Sequence, residues 1–182
     1  MGGMPSKPDY LLLDDAALLS QCDVHIYKSS GPGGQHRNKV SSAVRLRHRP
    51  TGLSAHGDES RSQHDNKRMA LRRLRMKIAC HCRRPVEPGA ALPGVVAGCI
   101  HRPGGRGPSQ RKRLQVGRKD HRFWPVAAFV LDVLDCCGGR LAESAELLGI
   151  STGGLVGFLQ SERHLLAAAQ AIRKNQGHKP LA

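Results

Sequence analysis

Ser29-Ser30-Gly31-Pro32-Gly33-Gly34-Gln35-His36-Arg37-Asn38 is the stretch on which the reading of this 182-residue chain turns. Three glycines in four positions give a backbone that can take φ > 0 and come close to a ligand. Successive amides turned the same way form an anion nest. Such amides stabilise an oxyanion or a leaving alkoxide without a titrating group, by roughly 3–4 kcal/mol for one well-placed donor. Gln35 closes the stretch with a carboxamide that can hold a water through both its donor and its acceptor. No conventional general base accompanies it.

Working outward, Val24, His25 and Ile26 alternate and Tyr27 closes a predicted strand, so residues 28–39 form the loop after it. Ala43 to His48 alternates again, with Val44 and Leu46 on one face and Arg45 and Arg47 on the other. Pro50-Thr51-Gly52 makes a turn, and Leu53 to His56 returns as the second strand of a hairpin. Before these strands, Asp14-Asp15 starts a short helix. After them comes the clearest helix, Gln63 to Cys82. It carries Met69, Leu71, Leu74, Ile78 and Cys82 at helical spacing and Arg68, Arg72, Arg73, Arg75 and Lys77 elsewhere. Residues 85–122 are rich in Gly and Pro and then densely basic, and residues from Phe123 to about Arg173 are helical in pattern. The expected class is α+β: a small mixed β-sheet packed by a helix, a basic linker and a small all-α, three-helix-like module. Its expected parts are a leader (1–22), a catalytic domain (23–84), the linker (85–122) and the C-terminal module (123–182).

Charge gives the partner class. The formal net charge is +15 with a pI near 10.4, and residues 28–122 hold 23 Lys and Arg against 5 Asp and Glu. Residues 123–170 hold only Arg140 and Arg163 against five acids. Positive charge gathered in one half of a chain meets a polyanion there, and phosphates attract Lys and Arg whatever the base sequence. Aromatics make up only 3% of the chain, so broad base-stacking platforms are not expected. No apolar run reaches the ~18 residues of a membrane span, and the acid-crowded start resembles neither a signal nor a transit peptide. A cytoplasmic protein with free thiols is expected, since six cysteines in such a setting do not imply disulfides.

Five segments in order carry a resemblance: Ser29 to Asn38, Ser42-Ala43-Val44-Arg45, Pro50-Thr51-Gly52, Arg61-Ser62-Gln63, and Asn66-Lys67 beyond. Together they resemble the catalytic domain of the bacterial class I peptide chain release factors and their short ribosome-rescue relatives. The resemblance implies that the Gly33-Gly34-Gln35 loop enters the peptidyl transferase centre of the large ribosomal subunit and promotes hydrolysis of the peptidyl-tRNA ester. The Gln35 amide would contact the developing oxyanion or leaving hydroxyl, its side chain would orient water, and Gly33 and Gly34 would permit the backbone shape. It also implies N-methylation of Gln35 by a glutamine methyltransferase. The candidate RNA contacts are Arg37, Asn38, Lys39, Arg45, Arg61, Gln63, Lys67, Arg68, Arg72, Arg111, Lys112 and Arg113. No cofactor and no metal is expected, and the implied partners are the ribosome, its rRNA and peptidyl-tRNA, met by a monomer. Only 22 residues precede Asp23, which leaves no room for a codon-reading domain, so codon-independent release on stalled ribosomes is the expectation. A ribosome- or RNA-binding protein without hydrolysis is the alternative.

Two further patterns are weaker. Gly139 to Ser151 resembles the helix-turn-helix of bacterial DNA-binding proteins, with Gly149 at the turn and Ser151 as the next N-cap. The helix that would read bases, Thr152 to Gln160, carries no Lys or Arg and three glycines, which argues against base reading. Cys80, Cys82, Cys99 and His101 are ligand types suited to zinc, but one-residue spacing at a helix end turns Cys80 and Cys82 away from each other. The ten histidines include His25, His36, His48, His56 and His64 near the basic half, and most of the ten are expected at the surface or facing RNA.

Overall fold

Asp14 starts the first helix, α1 (Asp15–Ser20), by accepting a hydrogen bond from the Ala17 amide at 2.7 Å, and so satisfies one of the first-turn donors. The computed structural model describes residues 9–28, 42–87, 89–101 and 112–181, and the chain divides into two units, Met1–Ile78 and Ala79–Ala182.

In the first unit, β1 (Cys22–Tyr27), β2 (Ala43–His48) and β3 (Ser54–Gly57) form a sheet of order β1-β2-β3. The α+β class holds. The pairing is antiparallel throughout rather than mixed, from Cys22↔His48 to Tyr27↔Ala43 and from Val44↔Gly57 to Arg47↔Ser54. For β2 and β3 the reason is local: the five residues between them only let the chain return on itself, whereas a parallel pair needs a crossover of about a dozen residues or more. Gly52, at φ +71°, makes the β2–β3 turn, its amide donating to the His48 carbonyl at 2.8 Å.

Helix α2 (Gln63–His81) lies against β3 so closely that a Cβ on Gly57 would come within 2.0 Å of the Asn66 carbonyl oxygen. Within the first unit its buried stripe is Asn66, Ala70, Leu71, Leu74 and Ile78, and Val44, Leu46 and Ala55 of the sheet are buried too. Met69, expected on the apolar face, is 37% exposed, since a 3.6-residue period seats Ala70 there instead. Val24 and Ile26 are also exposed, on β1 at the edge of the sheet.

His48, unlike the surface position expected of most histidines, is fully buried. It points to the core face of β2 alongside Val44 and Leu46, so its polar atoms need partners. Its Nε2–H donates to Gln21 Oε1 at 3.1 Å, and Nδ1 accepts from the Thr51 hydroxyl at 2.8 Å. Tyr10 packs edge-on against its ring at 4.8 Å. These contacts tie the end of α1 to the β2–β3 turn.

The second unit is built round α4 (Phe123–Cys136), whose Phe123, Val126, Ala127, Val130, Leu131 and Leu134 are all buried. Helices α5 (Leu141–Leu147), α6 (Thr152–Gln160) and α7 (Arg163–Asn175) pack on it through Leu148, Leu155, Leu159 and Leu165. That makes four helices where three were expected. The basic, Gly/Pro-rich stretch also contributes to this core. It forms α3 (Gly94–Ala97) and the short pair β4 (Ile100–His101) and β5 (Arg113–Leu114), burying Val96, Cys99 and Leu114. Asp132, 2% exposed, is met by Arg83 at 3.2 Å and by the Arg84 amide at 3.1 Å. Burial pushes its carboxyl up to about 6, while the two arginines pull it back. No helix among the described residues is long and apolar enough to cross a membrane.

Burial, and secondarily the Arg49 cation, hold the His48 pKa below its ordinary value. The fold therefore binds the neutral ring. Stability from this group is present in full above the unfolded value of about 6.5 and is lost as pH falls through the folded pKa. Between about pH 7.5 and about pH 5 the unfolding midpoint of the parent should fall more than that of His48→Gln. Calorimetry of both proteins tests this, and identical pH slopes would show that His48 is not buried neutral.

Candidate nucleic-acid interface

The expected catalytic residues Gly33, Gly34 and Gln35, and with them Arg37, Asn38, Lys39 and Arg111, lie outside the described residues. What the structure describes is the frame on which the loop is mounted. Tyr27 and Ala43 are register partners, so the chain leaves β1 and re-enters β2 at adjacent points, about 5 Å apart. The returning end is held by one side chain. Asn66, 1% exposed in the first turns of α2, donates from Nδ2 to the Ser42 carbonyl at 2.8 Å and to the Ser60 carbonyl at 2.7 Å. Its Oδ1 accepts from the Ser60 amide at 2.9 Å. A short amide is the one side-chain type that can donate twice and accept once across this gap. Ser42 Oγ adds a bond to the Ser60 carbonyl at 3.3 Å. The root of the loop is thus fixed to α2 and to the segment after β3.

The remaining candidates in this unit sort by their partners. Arg61, Gln63 and Arg72 are exposed, and Lys67 is half-buried, along the outer side of α2 and its approach. Arg68 is exposed and lies 3.9 Å from Asp65 one turn back, a pair of small energetic weight in water. Arg45 projects from the open face of the sheet.

Three cations grouped with these by sequence are committed internally instead. Arg73 pairs with Glu59 and donates to the His56 carbonyl at 2.8 Å. Arg75 donates to the Leu11 and Leu13 carbonyls at 3.1 and 2.8 Å and pairs with Asp15 at 2.9 Å, fastening the segment before α1 to the helix. Lys77 donates to the Ser54 carbonyl at 2.7 Å. Nothing in residue type separates Arg72 from Arg73. Only Arg73 is turned to where Glu59 stands beside it.

Lys112 and Arg113 belong to the second unit, both exposed, with Arg113 in β5. Near them the α5–α6 turn has the geometry its sequence suggests. Gly149 takes φ +65°, and Ser151 Oγ accepts from the Gly154 amide at 3.0 Å. Helix α6 buries Leu155, Phe158 and Leu159 and presents no charge outward. Arg122, counted among the basic cluster, is paired with Asp120 at 2.7 Å, which holds that carboxyl well below the usual range.

Of the zinc candidates, Cys99 is buried in the apolar core. Desolvation first, and then Glu162, push the Cys80 thiol up to about 11, and its Sγ donates to the His164 carbonyl at 3.7 Å. Among the described residues no group of three or more His, Cys, Asp or Glu is placed to hold a metal ion.

Residues 18–89 match the RF-1 domain family. The chain is 44% identical over 73 residues to peptide chain release factor 2 of Buchnera aphidicola subsp. Baizongia pistaciae, covering 38% of this chain and 20% of that protein. It is 51% identical over 59 residues to peptide chain release factor 1 of Mesoplasma florum, covering 32% and 16%. With peptide chain release factor 1 of Rhodospirillum rubrum it shares 43% over 68 residues, covering 37% and 19%. The chain thus spans about a fifth or less of the length of these relatives.

Removing the Asn66 carboxamide leaves two carbonyls and one amide at the loop root without that partner. Asn66→Ala should lower the stability of the first unit by about 2–4 kcal/mol. Asn66→Asp, which keeps the acceptor but loses both donors, should also be destabilising. Denaturant unfolding of both variants measures this, and parent-like midpoints would show that the bridge does not hold the root.

Proposed function

We propose, from residues 18–89 being a class I release factor-like domain, that this protein hydrolyses the peptidyl-tRNA ester on the ribosome through Gly33-Gly34-Gln35. The single observation that carries the reading is the family match over the segment that contains this loop. The described frame supports it: a loop leaving and re-entering one antiparallel pair, with its root clamped by Asn66. A loop that must place a backbone amide at an oxyanion gains from such a root, because a misplacement of ~1 Å can cost about a hundredfold in rate.

In this reading the protein supplies placement. The Gln35 amide donates to the developing charge, the Gln35 side chain orients the attacking water, and the glycines allow the approach. The ribosome and the terminal adenosine of tRNA supply the rest of the reacting centre. Gln35 is the residue for N-methylation by a glutamine methyltransferase. The exposed cations of α2, with Lys39 and Lys112-Arg113, contact rRNA phosphates.

We further propose that release requires no stop codon and serves stalled ribosomes. The region outside the matched domain supports this: α6 bears no Lys or Arg, and its one aromatic, Phe158, is buried. Reading bases calls for donors and stacking surfaces held outward.

Gly34→Ala should bind ribosomes as the parent does and lose peptide release by about a hundredfold or more, since a Cβ displaces the donor amide. Unchanged release would end the catalytic assignment and favour binding without hydrolysis. Release from complexes carrying stop, sense and truncated messages should be equal or greatest on truncated ones. A clear preference for stop codons would overturn the rescue reading.

A further inference from the structure

One face of the three-stranded sheet packs on α2, and the other carries a row of nitrogen-bearing side chains. His25, Arg45 and His56 are register partners across β1, β2 and β3, so they stand side by side over about 10 Å. All three are exposed. Arg47 follows on the same face of β2, also exposed.

Arg45 is held from two sides. Its guanidinium carbon lies 5.7 Å from the centre of the Tyr27 ring, over its face. Its Nε–H donates to His56 Nδ1 at 3.4 Å. Anchoring Nε and the flat of the group leaves the two terminal nitrogens as a fork, the geometry that meets phosphate oxygens bidentately.

The carboxylates nearby are already engaged. Asp23, the register partner of Arg47, is taken by Arg49 at 3.1 Å, and Glu59 by Arg73. Among the described residues no carboxylate lies within ion-pair distance of Arg45 or Arg47. A guanidinium that is oriented, exposed and lacks an internal counterion is placed for an external anion, and its ordering cost is already met.

We infer that the open face of the β1-β2-β3 sheet is a second RNA-binding surface, in which Arg45 and Arg47 hold the phosphates of a single strand. Tyr27 and His56 act as positioning residues that set the Arg45 fork, and His25 lines the strand's path. The choice of RNA over another polyanion rests on the ribosomal reading of this domain. The surface is separate from the outer side of α2, where Arg68 and Arg72 lie, so the domain meets RNA on two faces.

The test uses the full-length protein and a fluorescein-labelled oligouridylate of about 12 nucleotides, titrated at several KCl concentrations. Arg45→Gln and Arg47→Gln should each weaken binding by about tenfold at low salt and reduce the salt slope by about 0.7, the value of one single-strand phosphate contact. Tyr27→Leu should weaken binding severalfold with the slope unchanged, because no charge is lost, and Tyr27→Phe should restore it. A purely structural role for Tyr27 would not be rescued with the slope intact. Arg47→Gln removes no hydrogen bond described in the fold, so it reports on binding even where an Arg45 variant unfolds.

Parent-like affinity and slope for Arg47→Gln and Arg45→Gln, with loss confined to Arg68→Gln and Arg72→Gln, would overturn the proposal. So would equal displacement of the oligouridylate by polyglutamate at matched charge. Peptide release is read separately. Failure of release with retained dependence on Arg45 and Arg47 would sink the hydrolytic reading and leave this surface standing.

Discussion

The buried carboxamide of Asn66 is the contact on which the site's frame depends. It joins three elements that are distant in sequence: Ser42 where the loop returns, Ser60 after β3, and the start of α2. Gly57 lets this happen, because any side chain there would collide with the Asn66 backbone. A helix that can sit directly on β3 brings its side chains within hydrogen-bond reach of a loop root. A helix held further away could not. The constraint is steric first and polar second, and the catalytic proposal inherits it.

Electrostatics in the same unit follow from a shortage of acids. Asp15, Asp23 and Glu59 each take one arginine, Arg75, Arg49 and Arg73. Those pairs bind segments of the unit together. Among the described residues, Arg61 and Arg72 on the side of α2 and Arg45 and Arg47 on the sheet face are paired with no carboxylate. A net charge of this size raises self-repulsion in the folded state, and a polyanion relieves it. The unit therefore separates its cations into internal fasteners and outward contacts by where few carboxylates stand.

The second unit makes a core from material that looks unpromising. Val96, Cys99 and Leu114 come from a stretch dominated by Gly, Pro and basic residues, yet all three join the core under α4. Gly138 and Gly139, at φ +59° and +78°, end α4 sharply enough for Arg173 to donate to the Gly139 carbonyl at 2.6 Å. His178 Nε2 lies 2.8 Å from the Gly138 carbonyl. A Cβ on Gly139 would sit 3.0 Å from the His178 ring and 3.2 Å from the Arg173 backbone, and at φ +78° a side chain there is strained.

The sequence by itself determined the α+β class, the alternation of β2, the turn at Gly52 and the long helix. These depend on local rules, period and turn chemistry, that a linear chain displays. Ser151 as a cap and Gly149 as a left-handed turn were legible for the same reason. Only the tertiary structure decided which arginines face outward, that His48 is interior, and that Val24 and Ile26 are exposed at a sheet edge. It alone showed that Asn66, marked in the sequence by resemblance, ties down the loop root. Each of those outcomes is set by what lies opposite a residue across a helix–sheet or strand–strand contact. Opposition in space is a property of packing, which the order of residues along the chain does not display.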